Sequence, residues 1–348
     1  MDTRDTAEQA ELRRAAGRLA RELGPTSVAE LDDSTRAKRL TGAVQDAGWL
    51  ELRDDAGEGA PLATAVEAAI VAEALGASVA DTPFIGPVLA AELGRRAGLA
   101  SGDAAPVALT ASLIGAAEAT ARTTSPVYAV DAGPELAVAC VLTGRAGERT
   151  VARLTLDGSS TTGGGADLTR SVYAIPAGAG TQLGAEPHAS VTDDDLVAWT
   201  ALGLALTSAD LVGVMRGVLD LTVGYAAARR QFGVPVGSFQ AVQHLLAEAH
   251  CLMEGSASVA AYASWSVDAL APQDARAAGR VAKAYCDRAA RTVCETAIQV
   301  HGGIGNTWDC LVHVYLRRAL LSSQWFGDDG HQLTELQRER LGAVDGLS

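Results

Sequence analysis

The stretch from residue 192 to about 323 reads almost entirely as long helices, and this restricts the fold more than any other feature of the chain. Thr192 and Asp195 have the spacing of a capping box, and the apolar pattern behind them continues to Arg230 without a turn signal. Ser238 and Thr307 are the predicted N-caps of two later helices. The predicted helices span residues 192–230, 238–272, 272–301 and 307–323. Long helices joined by short links bury their apolar faces side by side, so an antiparallel four-helix bundle is predicted.

The first hundred residues are also predicted to be helical. Thr6 and Gln9 have the spacing of another capping box, and Gly24-Pro25 ends the helix that follows. Further helices are predicted at residues 62–76 and 83–98. Their alanine-rich faces suit close packing of one helix on another.

Between the two helical regions the pattern changes to short aliphatic runs separated by Gly, Pro, Asp and Ser. Such runs predict strands of a small antiparallel β unit, at residues 127–130, 136–143, 150–156 and 171–175. Gly163-Gly164-Gly165 is predicted to be a hairpin tip, since no Lys-Ser/Thr follows it as in a phosphate-binding loop. The fold class is therefore α+β, with helical, β and helical domains at residues 1–103, 104–191 and 192–348.

Charge and cysteine content exclude several classes of function. The formal charge is −14, because 42 acidic side chains outnumber 28 basic ones, and an acidic chain repels nucleic acid. The 5 cysteines include no Cys-x-x-Cys pair, so we expect no metal site and no disulfide framework, and a reducing compartment. No signal peptide and no uncharged apolar run of about 18 residues is recognisable, so we expect a cytoplasmic protein without a membrane span.

The first interruption of the bundle pattern is the segment 229–244, which reads RRQFGVPVGSFQAVQH. It places arginine, glutamine and aromatic side chains at a helix–loop–helix junction, an arrangement that suits a diphosphate or a planar heterocycle. Helix termination explains the same residues at least as well, with Arg229 and Arg230 complementing the helix dipole and Gly233 ending the helix.

The second interruption is the segment 299–309, which reads QVHGGIGNTWD. Its glycines would let the backbone approach a ligand closely. Thr307 would be the N-cap of the next helix and Asp309 would lie in its first turn, where an acid is also favoured simply by the helix dipole. On spacing alone, a helix stop followed by a capped helix is the simpler interpretation.

Together, the two segments resemble the C-terminal domain of the acyl-CoA dehydrogenase family. The resemblance rests on Arg-x-Gln-Phe-Gly-x-Pro with Phe-Gln-Ala-x-x-His, and on Gln-x-His-Gly-Gly-x-Gly followed by Arg317-Arg318-Ala319. Near the N-terminus, the segments DAGWL at 46–50 and AEALG at 72–76 are similar to that family as well. The order and spacing of these motifs agree over most of the chain.

The resemblance implies a cofactor, a reaction and a set of site residues. Family members use FAD to oxidise acyl-CoA thioesters to trans-2-enoyl-CoA, with a carboxylate that removes the α-proton. By this resemblance Asp309 occupies the position of a catalytic Glu. The residues implied to contact FAD of a neighbouring subunit are Arg229, Gln231, Phe232, Gln240, Gln299, Gly302 and Gly303.

Two departures from the family pattern concern the base and the flavin pocket. Asp309 is one methylene shorter than Glu, which would set its carboxylate back by ~1.5 Å. Other members carry the base on the long helix before the Arg-x-Gln-Phe-Gly corner, where this chain has Gly203. The Thr-Glu-Pro and Trp-Ile-Thr strands that hold flavin in the family are not found, and the segment 107–124 instead reads VALTASLIGAAEATARTT.

These departures favour a subunit of a heteromeric α2β2 acyl-CoA dehydrogenase, in which a partner supplies the flavin pocket and the Glu base. Such assemblies occur among family members that act on CoA esters of steroid side chains in actinobacteria, so steroid degradation is the expected setting by analogy. The alternatives are a self-sufficient homotetramer that uses Asp309 as its base, a non-catalytic structural or regulatory subunit, and a flavin monooxygenase with the same fold.

Overall fold

A computed structural model describes residues 4–99, 105–118, 126–132, 138–144, 147–155, 165–175, 183–184 and 190–341. Gly163 and Gly164, of the predicted hairpin tip, lie outside these ranges. The domain boundaries proposed above stay a prediction.

Within residues 4–99 the structure has four α-helices, α1 (Ala7–Leu23), α2 (Ser34–Asp46), α3 (Ala65–Ala77) and α4 (Ile85–Arg96). The predicted capping box is confirmed, because the Thr6 hydroxyl accepts from the Gln9 N–H at 3.2 Å while the Gln9 side chain accepts from the Thr6 N–H at 3.0 Å. Helix α1 ends at Leu23, with Gly24 as its C-cap, as predicted. Helix α2 was not predicted, since its apolar face is narrow and only Leu40 and Val44 are buried.

The strands are short and pair antiparallel. Their bounds are β1 (Asp55–Gly57), β2 (Ala60–Pro61), β3 (Ala108–Leu109), β4 (Val127–Val130), β5 (Val138–Thr143), β6 (Arg149–Thr155), β7 (Val172–Ile175), β8 (Leu183–Gly184) and β9 (Ser190–Val191). Strand β4 pairs with β3 and β7, and β6 pairs with β5, β8 and β9. The β5–β6 ladder runs in register from Val138–Thr155 to Thr143–Thr150, which confirms the predicted antiparallel unit.

The C-terminal region consists of α5 (Asp193–Ala228), α6 (Gln240–Ala269), α7 (Pro272–His301), α8 (Val312–Gln324) and α9 (Asp329–Leu341), with a two-residue hairpin of β10 (Arg230–Gln231) and β11 (Val234–Pro235) after α5. Helix α5 packs against α3, α6, α7 and α8 and is the centre of the fold. It is the one helix of the described ranges that is long and apolar enough to cross a membrane, but 89% of that stretch is buried inside the protein.

Two predicted helix starts were wrong. Phe239, not Ser238, is the N-cap of α6, and the Ser238 hydroxyl donates instead to the Pro235 carbonyl at 2.6 Å. Helix α8 begins at Val312, not at Thr307. Residues 302–306 follow α7 as a 3₁₀ helix. The Thr307 hydroxyl donates back to the Ile304 carbonyl of that helix at 2.8 Å.

A buried ionic cluster joins the N-terminal helices, the β region and the bundle. The Arg318 guanidinium pairs with Asp210 of α5 at 2.8 Å and donates to the Ala80 carbonyl at 2.8 Å. Arg170 pairs with the same Asp210 carboxylate at 2.9 Å. Burial opposes ionisation of Asp210, but the two guanidinium groups hold its pKa below the usual value. Arg318 of the Arg-Arg-Ala motif is therefore committed to holding the three regions together.

Candidate functional site

The Arg-x-Gln-Phe-Gly segment forms a tight hairpin at one end of the bundle. Arg229 caps α5, with its N–H donating to the Tyr225 carbonyl at 2.8 Å. Phe232 and Gly233 occupy the tip with φ angles of 51° and 82°, the left-handed pair that a two-residue turn of this kind requires. The Phe232 ring is 91% exposed, and its centroid lies 6.3 Å from that of Phe239 in an edge-on arrangement. An aromatic ring held in solvent in this way is available to a partner molecule.

The predicted polar residues of this corner are exposed and unengaged. Arg229, Gln231 and Gln240 all lie on the surface. Within the ranges that the structure describes, none of their side chains makes a hydrogen bond or an ion pair, whereas Arg230 donates to the Gly233 carbonyl at 3.3 Å. Their donors thus point to solvent at the corner rather than into this chain.

The second predicted segment is a glycine turn after α7. Gly302 has φ 65° and ψ −143°, a conformation open essentially to glycine alone. A Cβ atom built on Gly302 or Gly303 would meet nothing within 4 Å, so the backbone there is accessible from outside. Gln299, in the last turn of α7, is exposed as well.

Tertiary structure brings the corner and the glycine turn to the same end of the bundle. The Tyr225 ring of α5 stacks on the His301 ring of α7, with centroids 4.2 Å apart and planes inclined by 22°. His301 is buried, its Nδ1 lies 2.9 Å from the Ala297 carbonyl, and burial lowers its pKa. A neutral, packed histidine here fixes the two junctions relative to each other.

Asp309 lies apart from any enclosed site. It is exposed, in the turn between the 3₁₀ helix and α8, so it is not in the first turn of a helix as predicted. Its carboxylate makes no hydrogen bond or ion pair with the residues that the structure describes. Its neighbour Trp308 is 63% exposed. Whether Asp309 acts as a base stays a prediction, but its surroundings offer no shielding from water.

The helix position where some acyl-CoA dehydrogenases carry their base is glycine here, and an aromatic side chain fills the space beside it. A Cβ on Gly203 would lie 2.1 Å from Cζ of Phe326. The Phe326 ring is 2% exposed and packs against Trp199, with centroids 5.4 Å apart. Sequence reasoning missed this contact; the signal available was an aromatic pair, Trp325-Phe326, in a chain with only 4% aromatic residues.

Several backbone contacts hold Phe326 in place. Its N–H donates to the Leu113 carbonyl at 2.7 Å, and its φ is 63°, unusual for a residue with a side chain. Lys283 donates to the carbonyls of Ser323 and Gly327 at 2.8 and 3.1 Å. Gln332 donates to the carbonyl of Phe326 itself. The ring is therefore a fixed part of the interior.

The Lys283 ammonium also pairs with Asp287, at 2.7 Å. Burial disfavours both charged forms, so it lowers the pKa of Lys283 and raises that of Asp287. Each N–H of the Lys283 ammonium has a hydrogen-bond acceptor. The Lys283–Asp287 pair therefore supports the 323–327 segment.

A cavity of about 580 Å³ lies between α1, α3, α5 and α6, and none of the predicted site residues lines it. Within the described part of the chain, no group of three or more His, Cys, Asp or Glu side chains is placed to hold a metal ion. The candidate site is thus an open surface at the end of the bundle.

Comparison with known proteins identifies sequence relatives of the C-terminal region. Residues 201–341 match the family model of the acyl-CoA dehydrogenase C-terminal domain. Acyl-CoA dehydrogenase IpdE2 of Mycolicibacterium smegmatis is 34% identical over 173 residues, which cover 50% of this chain and 50% of that protein. The chain thus spans about half the length of this curated relative.

Solved structures match over nearly the whole chain. A chain of the ChsE4-ChsE5 complex from Mycobacterium tuberculosis matches with a TM-score of 0.79 at 23% identity. The match covers 99% of this chain and 100% of the matched chain. A variant of the Tcur3481-Tcur3483 steroid acyl-CoA dehydrogenase has a TM-score of 0.72 at 20% identity, covering 97% and 99%. At such identities these similarities establish the fold.

Proposed function

We propose that this protein is one subunit of an FAD-dependent acyl-CoA dehydrogenase, because residues 201–341 match the family model of the acyl-CoA dehydrogenase C-terminal domain and the whole chain has the fold of solved acyl-CoA dehydrogenases. It works in a heteromeric α2β2 complex, where it completes the FAD site of a partner chain. The partner supplies the flavin pocket and the Glu base.

The packing of Phe326 against Gly203 carries this proposal. In a self-sufficient enzyme of this family, a carboxylate must reach the α-carbon of the substrate from an interior position. Here the helix position lacks a side chain, and a Cβ added there would lie 2.1 Å from the Phe326 ring. The space for a base on this helix is closed by a well-packed aromatic group, which supports a division of labour between two chains.

The surface residues fit the diphosphate and adenosine end of FAD. Arg229 offers an exposed guanidinium, the strongest kind of donor for a diphosphate. Gln231 and Gln240 add amide donors, and Gly302 and Gly303 leave their backbone open to contact. Because these groups form an open surface, they suit a dinucleotide that is held mainly by another chain.

Arg229, Gln231, Gln240 and the glycine turn would hold FAD, and the bound flavin would supply the hydride acceptor for α,β-dehydrogenation of an acyl-CoA thioester. The residues of this chain act by holding the dinucleotide. Arg229 neutralises diphosphate charge, and the Tyr225–His301 stack keeps Arg229 and the glycine turn at a fixed separation. Oriented donors of this kind fix the position of the cofactor before reaction.

Two observations support the partner and the class of substrate. The structural neighbours ChsE4-ChsE5 and Tcur3481-Tcur3483 are each named as pairs of chains, and the latter is described as a steroid acyl-CoA dehydrogenase. The exposed Phe232 ring at the corner suits burial in an interface. We therefore extend the proposal to CoA esters of steroid side chains. The cytoplasmic setting expected from the sequence is part of the same proposal.

The self-sufficient alternative, with Asp309 as base, has less support from the geometry. A base for α-proton removal works best where burial raises its pKa and excludes water. Asp309 is exposed to solvent in a surface turn. A purely structural subunit would leave Arg229 without a ligand.

An absorption spectrum and a native mass test the proposal, first on the chain alone and then on the chain co-expressed with a second chain of this fold that carries a Glu base. We expect no flavin absorbance from the chain alone and a yellow heterotetramer from the pair. Arg229→Ala should lower the FAD content of the pair while leaving its α2β2 subunit composition unchanged. Stoichiometric FAD on the isolated chain would contradict the division of labour.

A further inference from the structure

The cavity between α1, α3, α5 and α6 is separate from the proposed cofactor surface. Its volume of about 580 Å³ lies in the range of sites that hold small molecules. Among the described residues, none from the corner after α5, from the glycine turn after α7 or from the packing around Phe326 lines it. Any ligand of this cavity would therefore be additional to FAD.

The inner wall of the cavity is apolar and buried. It includes Ile70 of α3 and Val212 of α5, both inaccessible to bulk solvent. The other short apolar side chains along the wall are Ala69, Ala209, Ala257, Ala260 and Ala261. Because alanines on facing helices leave the space between them wide, the cavity suits a broad molecule better than a narrow chain. Water at such a wall is displaced favourably by an apolar molecule.

Three charged side chains at the rim of the cavity are paired. Arg13 donates to the two carboxylate oxygens of Asp5 at 2.8 and 3.3 Å, and to Glu73 at 2.9 Å. The other Glu73 oxygen pairs with Arg216 at 3.0 Å. The hydrogen bond from Arg13 also holds the pKa of Asp5 below its usual value. An anionic ligand would meet Asp5 and Glu73, and a cationic one would meet Arg13, so the rim favours a neutral occupant.

Trp265 of α6 offers a neutral hydrogen-bond donor on the wall of the cavity. Its ring is half-buried and lies beside Tyr262, with centroids 5.7 Å apart. The Ser264 hydroxyl is already engaged, since it donates to the Ala260 carbonyl at 2.9 Å. In the part of the chain that the structure describes, the Trp265 indole N–H has no acceptor. Buried indoles usually find one, and a ligand oxygen would supply it.

We propose that this cavity is an accessory binding site for a neutral, rigid polycyclic molecule that carries a ketone oxygen, the class to which uncharged ketosteroids belong. The wide apolar wall receives the ring system, and the Trp265 N–H donates to the ketone. Since Ala209 of the wall adjoins Asp210 of the buried ionic cluster, the ligand contacts the helix at the centre of the fold. The proposal uses no residue of the FAD surface and does not depend on the proposed function.

The test measures binding of three probes to the purified full-length chain by equilibrium dialysis. Progesterone is a neutral steroid diketone. Its 17β-carboxylate analogue has the same rings but carries a carboxylate in place of the acetyl group, and undecanone is a neutral linear ketone. Fluorine NMR of the chain labelled with fluorotryptophan locates the ligand, because the 5 tryptophans give separate resonances and Trp265→Phe identifies one of them.

We expect progesterone to bind with a Kd on the order of 10 µM, as is usual for a ligand of its size, and to raise the Tm. Ala261→Leu should weaken binding at least about tenfold, because Ala261 lines the cavity but is exposed, so a larger side chain narrows the space without disturbing the core. Trp265→Phe should weaken it about three- to tenfold through loss of the N–H.

Ala247→Leu is the matched control. Ala247 is an exposed alanine of the same helix, 14 positions (261 − 247) or ~21 Å from Ala261 along its axis, and it does not line the cavity. This variant should bind progesterone like the wild type. Equal losses from Ala247→Leu and Ala261→Leu would overturn the proposal, because the probe would then bind elsewhere.

The probes separate the remaining outcomes. The carboxylate analogue and undecanone should each bind at least about tenfold more weakly than progesterone, and only the Trp265 resonance should shift strongly on binding. Equal binding of either probe would contradict the neutral polycyclic class. No binding of progesterone up to its solubility limit would overturn the site. The FAD content of the co-expressed pair should be the same with Ala261→Leu as with the wild type, so failure here leaves the proposed function intact.

Discussion

Tyr225 and His301 stack with ring centroids 4.2 Å apart, and this contact places the ends of α5 and α7 side by side. Tyr225 lies one helical turn before Arg229, and His301 immediately precedes Gly302. The stack thus joins the two segments in which the sequence predicts ligand contacts.

Replacing Tyr225 should separate these segments. We expect Tyr225→Ala to lower the free energy of unfolding by about 1–3 kcal/mol, since it removes an aromatic pair and part of its buried area. Tyr225→Phe keeps the stack and loses only a 3.4 Å hydrogen bond to the His301 carbonyl, so it should change stability little. Urea denaturation of the three proteins measures this. Equal losses from both variants would contradict the importance of stacking.

The contact between Gly203 and Phe326 predicts coupled mutations. Gly203→Ala alone should be destabilising by at least about 1–3 kcal/mol, because its Cβ would lie 2.1 Å from the Phe326 ring. Phe326→Ala alone should lower stability by about 3–5 kcal/mol through the cavity it leaves. In the double variant the clash is absent, so its measured loss of stability should be smaller than the sum of the losses in the two single variants. Simple additivity in a denaturation cycle would indicate that the two positions do not touch.

The glycine turn offers a matched pair of substitutions. Gly302→Ala should be destabilising by about 1–3 kcal/mol, because φ 65° with ψ −143° strains any side chain. Gly303→Ala meets open space, has no left-handed φ and should leave stability unchanged. If the turn approaches FAD, Gly303→Ala should still reduce the FAD content of the assembled complex. Unchanged FAD content would argue against that approach.

Acid stability should depend on Glu92, which is buried beside three arginines. Burial alone would raise its pKa, but Arg53, Arg96 and Arg95 lower it from 4.5 to about 2. The folded state therefore binds a proton at Glu92 less readily than the unfolded state does. The ionised Glu92 carboxylate contributes roughly 3 kcal/mol to the free energy of unfolding above pH 4.5, and this contribution is lost as the pH falls toward 2. Glu92→Gln should be less stable at neutral pH and show a shallower loss in acid, measured by thermal unfolding between those pH values. A parallel acid profile for both proteins would contradict this assignment.

Asp309→Asn tests the remaining catalytic alternative. In the flavin-loaded complex we expect turnover to stay within about threefold of the wild type, because the carboxylate is exposed and outside any enclosed site. Turnover is measured with an acyl-CoA substrate and an artificial electron acceptor. A loss of a hundredfold or more would establish Asp309 as a base and favour the self-sufficient enzyme.

Much of the architecture could be predicted because its signals are local. The capping boxes at Thr6 and Thr192 and the long apolar runs specify helices within a few residues of their own position. The predicted helix starts at Ser238 and Thr307 were wrong because a local signal can be satisfied by more than one local structure. Both side chains donate to a carbonyl of a preceding turn, and turn geometry competes with capping at this range.

The helical bundle, the antiparallel strands and the two segments with the residue types of a nucleotide site were all predictable from local sequence patterns. The packing of the helices, in contrast, brings these segments together through Tyr225 and His301 and places Phe326 in the space beside Gly203. Those residues are 76 and 123 positions apart in the chain (301 − 225 and 326 − 203). Hydrophobic periodicity and capping report on neighbours within a few turns, whereas contacts over such separations depend on how complete helices pack.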